Sequence, residues 1–185
     1  PKISDAFVWD QKETGRKLIY GENTWNEAKA WVSDGNSFAL MGDGTNAFIY
    51  KFYVNNLEAK NCYRISSSVA TDVLSADFYA FSSTRSVLFY VKNNTLYAYN
   101  YDIGNERVDM IPLETTDEIT MLKFDLTMEP MKDALYIATY SAIEGGSLRK
   151  YYVGNNPDKV ELKSDPKAVW KGLTKVKNMS WRALL

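Results

Sequence analysis

The sequence predicts an all-β fold built from antiparallel repeats, and three observations support this prediction. Residues 87–101 contain two runs of β-branched and aromatic residues around a tight Asn93-Asn94 turn, which is the pattern of a β-hairpin. In the second run, tyrosines at every second position would share one face of a strand. The chain also contains 13 Tyr, 8 Phe and 5 Trp among 185 residues, and aromatic residues favour strands over helices.

The hairpin occurs three times. Similar hairpins occupy residues 38–54 and 134–153, and the equivalent residues Ile49, Leu96 and Leu148 lie 47 and 52 residues apart. Two short apolar segments follow each hairpin, which gives four strands in a repeat of about 48 residues. Such repeats are typical of β-propeller blades, so we predict a β-propeller-like fold of about 3.5–4 blades. A β-sandwich whose hairpins resemble one another is the alternative.

We predict that residues 1–185 form a single β-propeller-like domain, since this length suits one domain. The repeats divide it into one partial and three full blades, at residues 1–37, 38–86, 87–133 and 134–185. We expect an open or partial propeller that exposes an apolar blade face, and this face would self-associate or pair with missing upstream blades. In the closed alternative, a strand at residues 6–9 would pair with the last blade.

One short helix is predicted before the first full repeat. Thr24 is followed three residues later by Glu27, which is the spacing of a capping box. Trp25, Ala28 and Val32 would then fall on one face of the helix. The sequence therefore predicts two helical turns within residues 24–32.

The residue inventory excludes most catalytic and metal chemistry. The chain has no histidine, which removes histidine-based acyl transfer, the usual neutral-pH base and histidine-ligated zinc. Its single cysteine, Cys62, cannot form a thiolate cluster or an internal disulfide. Phosphate-binding and dinucleotide-binding glycine motifs are also missing from the sequence. We therefore predict no catalytic residue, no cofactor and no metal site.

Charge and hydropathy limit the classes of partner. The net charge of −1 predicts no broad basic surface, and therefore no nucleic-acid partner. No apolar run approaches the roughly 20 residues that a membrane-spanning helix requires. Two carboxylates suffice for glycoside hydrolysis, so the 23 Asp and Glu residues leave a carboxylate-dependent enzyme as an alternative. Most of them lie in predicted turns or on solvent faces, which favours a solvating role.

Three tryptophans are candidates for stacking on a ligand: Trp25, Trp31 and Trp170. The flat apolar face of an exposed indole matches the C–H face of a sugar ring. Burial between blades is the alternative for each, because a large side chain removes the most area from water there. Exposure of the side chain would distinguish the two interpretations.

The segment 88–181 resembles the C-terminal, propeller-like region of the PKD-like family lipoproteins, surface proteins of gut bacteria associated with nutrient and glycan uptake. The resemblance lies in residues 88–91 with 96–99, 118–124, 135–140 with Gly145 and Gly146, and 176–181. It implies an exported protein at the outer-membrane surface or in the periplasm, as part of a lipid-anchored parent. The lipidated cysteine and PKD-like domain expected upstream are absent from this sequence, so we expect a C-terminal fragment of a longer protein.

The leading functional hypothesis is a non-enzymatic cell-surface binding module that presents loops to a glycan or a partner protein. Loops on a rigid β scaffold would carry the site. A carboxylate-dependent glycan-active enzyme and a purely structural domain are the alternatives.

Overall fold

The chain is all-β, and its strands are antiparallel. In this computed structural model no α-helix occurs among the described residues, which confirms the predicted all-β class. The structure describes residues 18–20, 23–25, 27–33, 36–42, 47–53, 62–67, 69, 73, 75–82, 85–124, 134–154 and 156–179.

The described strands form three four-stranded sheets and one two-stranded ribbon. Within each four-stranded sheet the strands lie side by side in chain order, so each sheet is a simple meander. This arrangement confirms the predicted four-stranded antiparallel unit. The chain divides into two compact units, Pro1–Ser75 with Tyr101–Asn105 and Ala76–Asn100 with Glu106–Leu185.

The first unit contains the ribbon and the first sheet. The ribbon consists of β1 (Leu18–Tyr20) and β2 (Asn23–Trp25). The first sheet consists of β3 (Glu27–Ser33), β4 (Asn36–Gly42), β5 (Ala47–Tyr53) and β6 (Cys62–Arg64).

Beyond β6 the chain keeps following β5. The N–H of Ile65 donates to the carbonyl of Ile49 over 2.9 Å, and the N–H of Val69 donates to that of Ala47 over 2.8 Å. Between these two bonds, the buried Oγ of Ser66 accepts the Ile49 N–H at 2.8 Å. Leu40, Ala47 and Ile49 are fully buried in this unit.

The predicted helix at residues 24–32 is wrong, because this segment pairs as two strands. Trp25 lies opposite Leu18 in the ribbon, and β3 pairs with β4 from Glu27 opposite Gly42 onwards. A two-turn helix is marginal in water, because few hydrogen bonds repay its nucleation. The antiparallel ladder with β4 instead gives β3 hydrogen-bond partners along its length. The predicted strand at residues 6–9 lies outside the described residues.

The second unit contains the second and third sheets. The second sheet consists of β7 (Phe78–Phe81), β8 (Val87–Lys92), β9 (Thr95–Asn100) and β10 (Arg107–Ile111). The third sheet consists of β11 (Glu118–Phe124), β12 (Ala134–Ser141), β13 (Gly145–Val153) and β14 (Leu162–Leu173).

The hairpin predicted at residues 87–101 is confirmed as β8 and β9. Its two turn residues, Asn93 and Asn94, have positive φ angles of 51° and 56°. Positive φ at both central positions defines the type I′ turn, whose twist matches that of the flanking strands, and Asn tolerates this conformation. Local turn chemistry therefore fixes the register from Val87 opposite Asn100 to Lys92 opposite Thr95.

The second and third sheets share one hydrophobic core and pack face to face, which gives the unit a sandwich-like arrangement. The rings of Phe89 and Phe124 lie 6.4 Å apart and nearly parallel, at 17°. Strand pairing closes neither sheet into a barrel. The buried core comprises Ala80, Val87, Phe89, Val91, Leu96, Ala98, Ile111, Ile119, Leu122, Phe124, Leu135, Ile137, Tyr151, Val153 and Val160.

The sheets begin one strand earlier than the predicted repeats. β7 lies in the predicted repeat 38–86, yet it pairs with β8 of the next repeat. Likewise β11 lies in the predicted repeat 87–133, yet it pairs with β12. The repeat period was read from the hairpins, and a period alone does not fix where each unit starts.

Candidate functional site

The three candidate tryptophans occupy different structural elements. Trp25 is the last residue of β2, Trp31 lies opposite Ala39 in the first sheet, and Trp170 lies in β14 of the third sheet. The side chains of Trp25 and Trp31 lie outside the described part of the structure. The side chain of Trp170 is 45% exposed. We therefore build the candidate site around Trp170.

Two bulges in β14 determine where Trp170 lies. Ser164 pairs with Tyr151 and Val169 pairs with Arg149, so residues 165–168 all stand opposite Lys150. A second, smaller bulge follows Trp170, where Gly172 takes a positive φ of 69°. β14 is also the last strand of its sheet, where irregular pairing disrupts one ladder only.

Trp170 lies on the face of the third sheet that is turned away from the shared core. It pairs with Leu148, and paired residues in an antiparallel ladder share a face. Leu148 packs on a second buried cluster of Met121, Tyr136 and Ala138, which we call the outer face cluster. Trp170 is thus at the rim of an apolar surface.

Aromatic rings and lysines lie together on this outer face. The Nζ of Lys150 lies 5.1 Å from the ring centroid of Tyr152 and 5.8 Å from that of Tyr136. These are cation–π distances, at which the ring faces attract the ammonium group. Lys163 pairs with Tyr152 in the ladder and therefore shares the outer face.

The chain after β14 crosses back over part of the outer face. Val176 and Met179 pack against the outer face cluster. The Nζ of Lys175 lies 2.9 Å from Glu118 Oε2 and 5.3 Å from the ring centroid of Tyr140. Lys123 donates to the carbonyl of Met179 and, over 3.3 Å, to Asn178 Oδ1. These contacts cover the outer face cluster and leave β14 exposed beside it.

Apolar and cationic residues are both exposed along β14, so this outermost strand of the third sheet is a mixed strip. Trp170 and Leu173 are 45% and 37% exposed, and three lysines of this strand are also exposed. None of these lysines has a carboxylate partner among the described residues, while Lys159 and Lys175 each have one. We call this strip, Lys163, Lys167, Trp170, Lys171 and Leu173, the Trp170 edge.

A cleft of about 250 Å³ lies at the tip of the β8–β9 hairpin and was not predicted from the sequence. The amide of Asn94 organises its rim: Nδ2 donates to the carbonyl of Asp117 over 3.2 Å, and Oδ1 accepts the N–H of Ile119 over 2.7 Å. The cleft is smaller than typical ligand pockets, which begin at about 300 Å³. The Asn94 side chain at the rim of the cleft already hydrogen-bonds to the backbone of Asp117 and Ile119.

Two carboxylates of this unit hold loops to strands. Glu114 Oε1 accepts the hydroxyl of Tyr151 at 2.7 Å and lies 3.2 Å from Arg149 Nε. Burial is the main cause that raises the pKa of Tyr151 above its ordinary value of 10.0, and the hydrogen bond to Glu114 is the second. Asp109 Oδ2 accepts from Arg107 Nε at 3.0 Å and from the N–H of Val160 at 2.9 Å. These partners give both carboxylates a structural role.

Within the described ranges, no three acidic or cysteine side chains cluster closely enough to hold a metal ion. The described residues also contain no helix of the length and apolarity needed to cross a membrane. No protein-family model matches the chain, and no curated protein matches it. The geometry of the site is therefore the basis on which we infer a function.

Proposed function

We propose that the chain is a non-enzymatic binding module that takes a glycan at the Trp170 edge. The observation that carries this proposal is the 45% exposure of Trp170. An indole buries a large apolar area when it can, so an exposed one on a β-strand is available to a ligand. A sugar ring stacked on it would cover that apolar area while its hydroxyl groups remain hydrated.

The setting of Trp170 favours binding without rearrangement. Ladder pairs at Val169 and Trp170 hold its backbone between the two bulges of β14. A side chain held on a rigid strand loses less conformational entropy when a ligand binds than one on a free loop. Neighbouring lysines add hydrogen-bond donors for ring and exocyclic oxygens.

At the level of the fold, we propose that the sheets are blades of an open or partial β-propeller from an exported, lipid-anchored parent protein. Meanders of four strands and the face-to-face packing of the second and third sheets support this interpretation. The resemblance to PKD-like family lipoproteins suggests the location. An open propeller would self-associate, so sedimentation equilibrium should detect oligomers at high concentration, and a strict monomer would count against it.

The experiment that tests binding is a glycan array probed with the full chain and with two variants. Trp170→Ala should lower affinity about tenfold or more, while Trp170→Phe should retain part of it, because an aromatic platform remains. Ile143→Ala is a matched control, since Ile143 is 96% exposed on the β12–β13 turn and outside the site. Absence of binding to every glycan would reject the proposal.

A further inference from the structure

We infer that the glycan bound at the Trp170 edge is acidic, carrying uronate carboxylates or sulfate esters, and that Lys163 and Lys171 bind those groups. The inference rests on the proposed function and adds the chemical class of the ligand. It follows from the placement of positive charge around the exposed indole.

The lysines lie on both sides of Trp170. Lys171 follows Trp170 directly, at the second bulge of β14. Lys163 stands opposite Tyr152, which is four residues from Leu148, the ladder partner of Trp170. Four residues of strand span about 13 Å, so the distance between Lys163 and Trp170 along the sheet suits an oligosaccharide rather than a single sugar.

The positive charge is local. Residues 162–177 contain five lysines and a single carboxylate, whereas the whole chain has a net charge of −1. That carboxylate, Asp165, accepts the N–H of Lys167 at 3.0 Å and lies 3.4 Å from the hydroxyl of Tyr152. It offsets only part of the charge of Lys163, Lys167 and Lys171. An anionic ligand would supply the missing counter-charges and accept charge-assisted hydrogen bonds.

Other polyanions fit this strip less well. A nucleic acid requires a broad basic surface, and the overall charge of the chain does not provide one. An acidic peptide that added a strand to β14 would need a regular ladder. The bulges of β14 and Pro166 within the first of them interrupt that ladder. An acidic glycan needs only the ring platform and the separate ammonium groups.

The test is isothermal titration of the full 185-residue chain with polygalacturonate, dextran sulfate and neutral dextran, with polyglutamate as a polyanion that has no sugar ring. We expect binding to one or both acidic polysaccharides, weakening as salt increases, and negligible binding to dextran and polyglutamate. Comparing the carboxylated with the sulfated polymer identifies which anionic group is preferred.

Variants then assign the residues. Trp170→Ala and the double change Lys163→Gln with Lys171→Gln should each weaken binding about tenfold or more. Lys159→Gln should bind as the unchanged chain does, because Lys159 is paired with Glu161 at 3.3 Å and precedes β14. Circular dichroism of each variant checks that it is folded.

The outcomes separate this inference from the proposed function. Binding to dextran that depends on Trp170 but not on the lysines would overturn the acidic class and leave glycan binding intact. Equal binding to polyglutamate, or binding that no Trp170 edge variant changes, would also overturn the inference. Failure to bind any polysaccharide, here and on the array, would reject both.

Discussion

The side-chain oxygen of Asn94 accepts a 2.7 Å hydrogen bond from the backbone N–H of Ile119, so the tip of the β8–β9 hairpin holds the start of β11. The amide nitrogen of Asn94 also donates to the carbonyl of Asp117, 3.2 Å away. One turn residue thereby connects the second sheet to the third. These hydrogen bonds hold the two sheets together in addition to their shared hydrophobic core.

Replacing Asn94 with Gly should destabilise the unit by about 1–3 kcal/mol, because the Ile119 N–H would lose its partner. The substitution should not destabilise the turn conformation itself, since Asn-Gly is the most favoured type I′ pair. Asn93→Gly is the control, and we expect a change below about 0.5 kcal/mol. Urea unfolding of both variants measures the difference. Equal stability of the two would show that the Asn94 hydrogen bonds contribute little.

Gly146 is the position where an added methyl group should be most costly. A Cβ there would overlap the carbonyl oxygen of Thr174 and lie 2.8 Å from the Thr174 carbonyl carbon. The chain after β14 would have to move, so Gly146→Ala should cost about 3 kcal/mol.

Gly154→Ala is the matched control, since its Cβ would meet the Glu161 Cβ at an ordinary 3.5 Å. Thermal melts of both variants test the comparison. A Gly146→Ala protein as stable as Gly154→Ala would mean that the segment after β14 yields easily.

Leu135 should be among the most sensitive core positions. It is fully buried between the second and third sheets, so Leu135→Ala should destabilise the protein by about 2–5 kcal/mol through lost burial and a residual cavity. Ile143→Ala removes a comparable side chain that is 96% exposed and should change stability by less than about 0.5 kcal/mol. Similar denaturant midpoints for the two variants would contradict the shared core.

Residues 87–101 could be predicted from the sequence because their signals are local. An Asn-Asn turn and alternating aromatics specify a hairpin regardless of what surrounds it. The helix prediction for residues 24–32 was wrong because it depended on a capping-box pattern, which is also a local signal. The pairing with β4 that overrides this signal involves residues further along the chain. The starting strand of each sheet likewise depends on tertiary pairing.

The candidate site could be predicted only in part. Trp170 was one of three candidate tryptophans, but residue pattern alone does not separate an exposed indole from a buried one. Asp165 and Pro166 are residue types that strands usually exclude, yet β14 accommodates them in a bulge. That is possible because Pro166 lies in the last strand of the sheet, where its missing N–H disrupts little. Bulges shift the side-chain alternation, so sequence periodicity could not assign the face of Trp170.

The stability of the protein should depend on alkaline pH through Tyr151. Burial, followed by the hydrogen bond to Glu114, raises the pKa of Tyr151 above 10.0 in the folded protein. In the unfolded chain Tyr151 titrates near its ordinary value, so above about pH 10 the unfolded state binds fewer protons than the folded state. The stability that neutral Tyr151 contributes is therefore complete below about pH 10 and decreases as the pH rises further.

Tyr151→Phe isolates this effect, because phenylalanine cannot ionise. Near pH 8 the variant should be less stable by about 1 kcal/mol, since the hydrogen bond to Glu114 is lost. Above about pH 10 the gap should narrow, because only the unchanged chain loses stability through Tyr151. All other titratable groups are common to both proteins, so their contributions cancel in the difference. Urea unfolding at the two pH values measures the gap, and a constant gap would mean that Tyr151 ionises with equal ease in the folded and unfolded states.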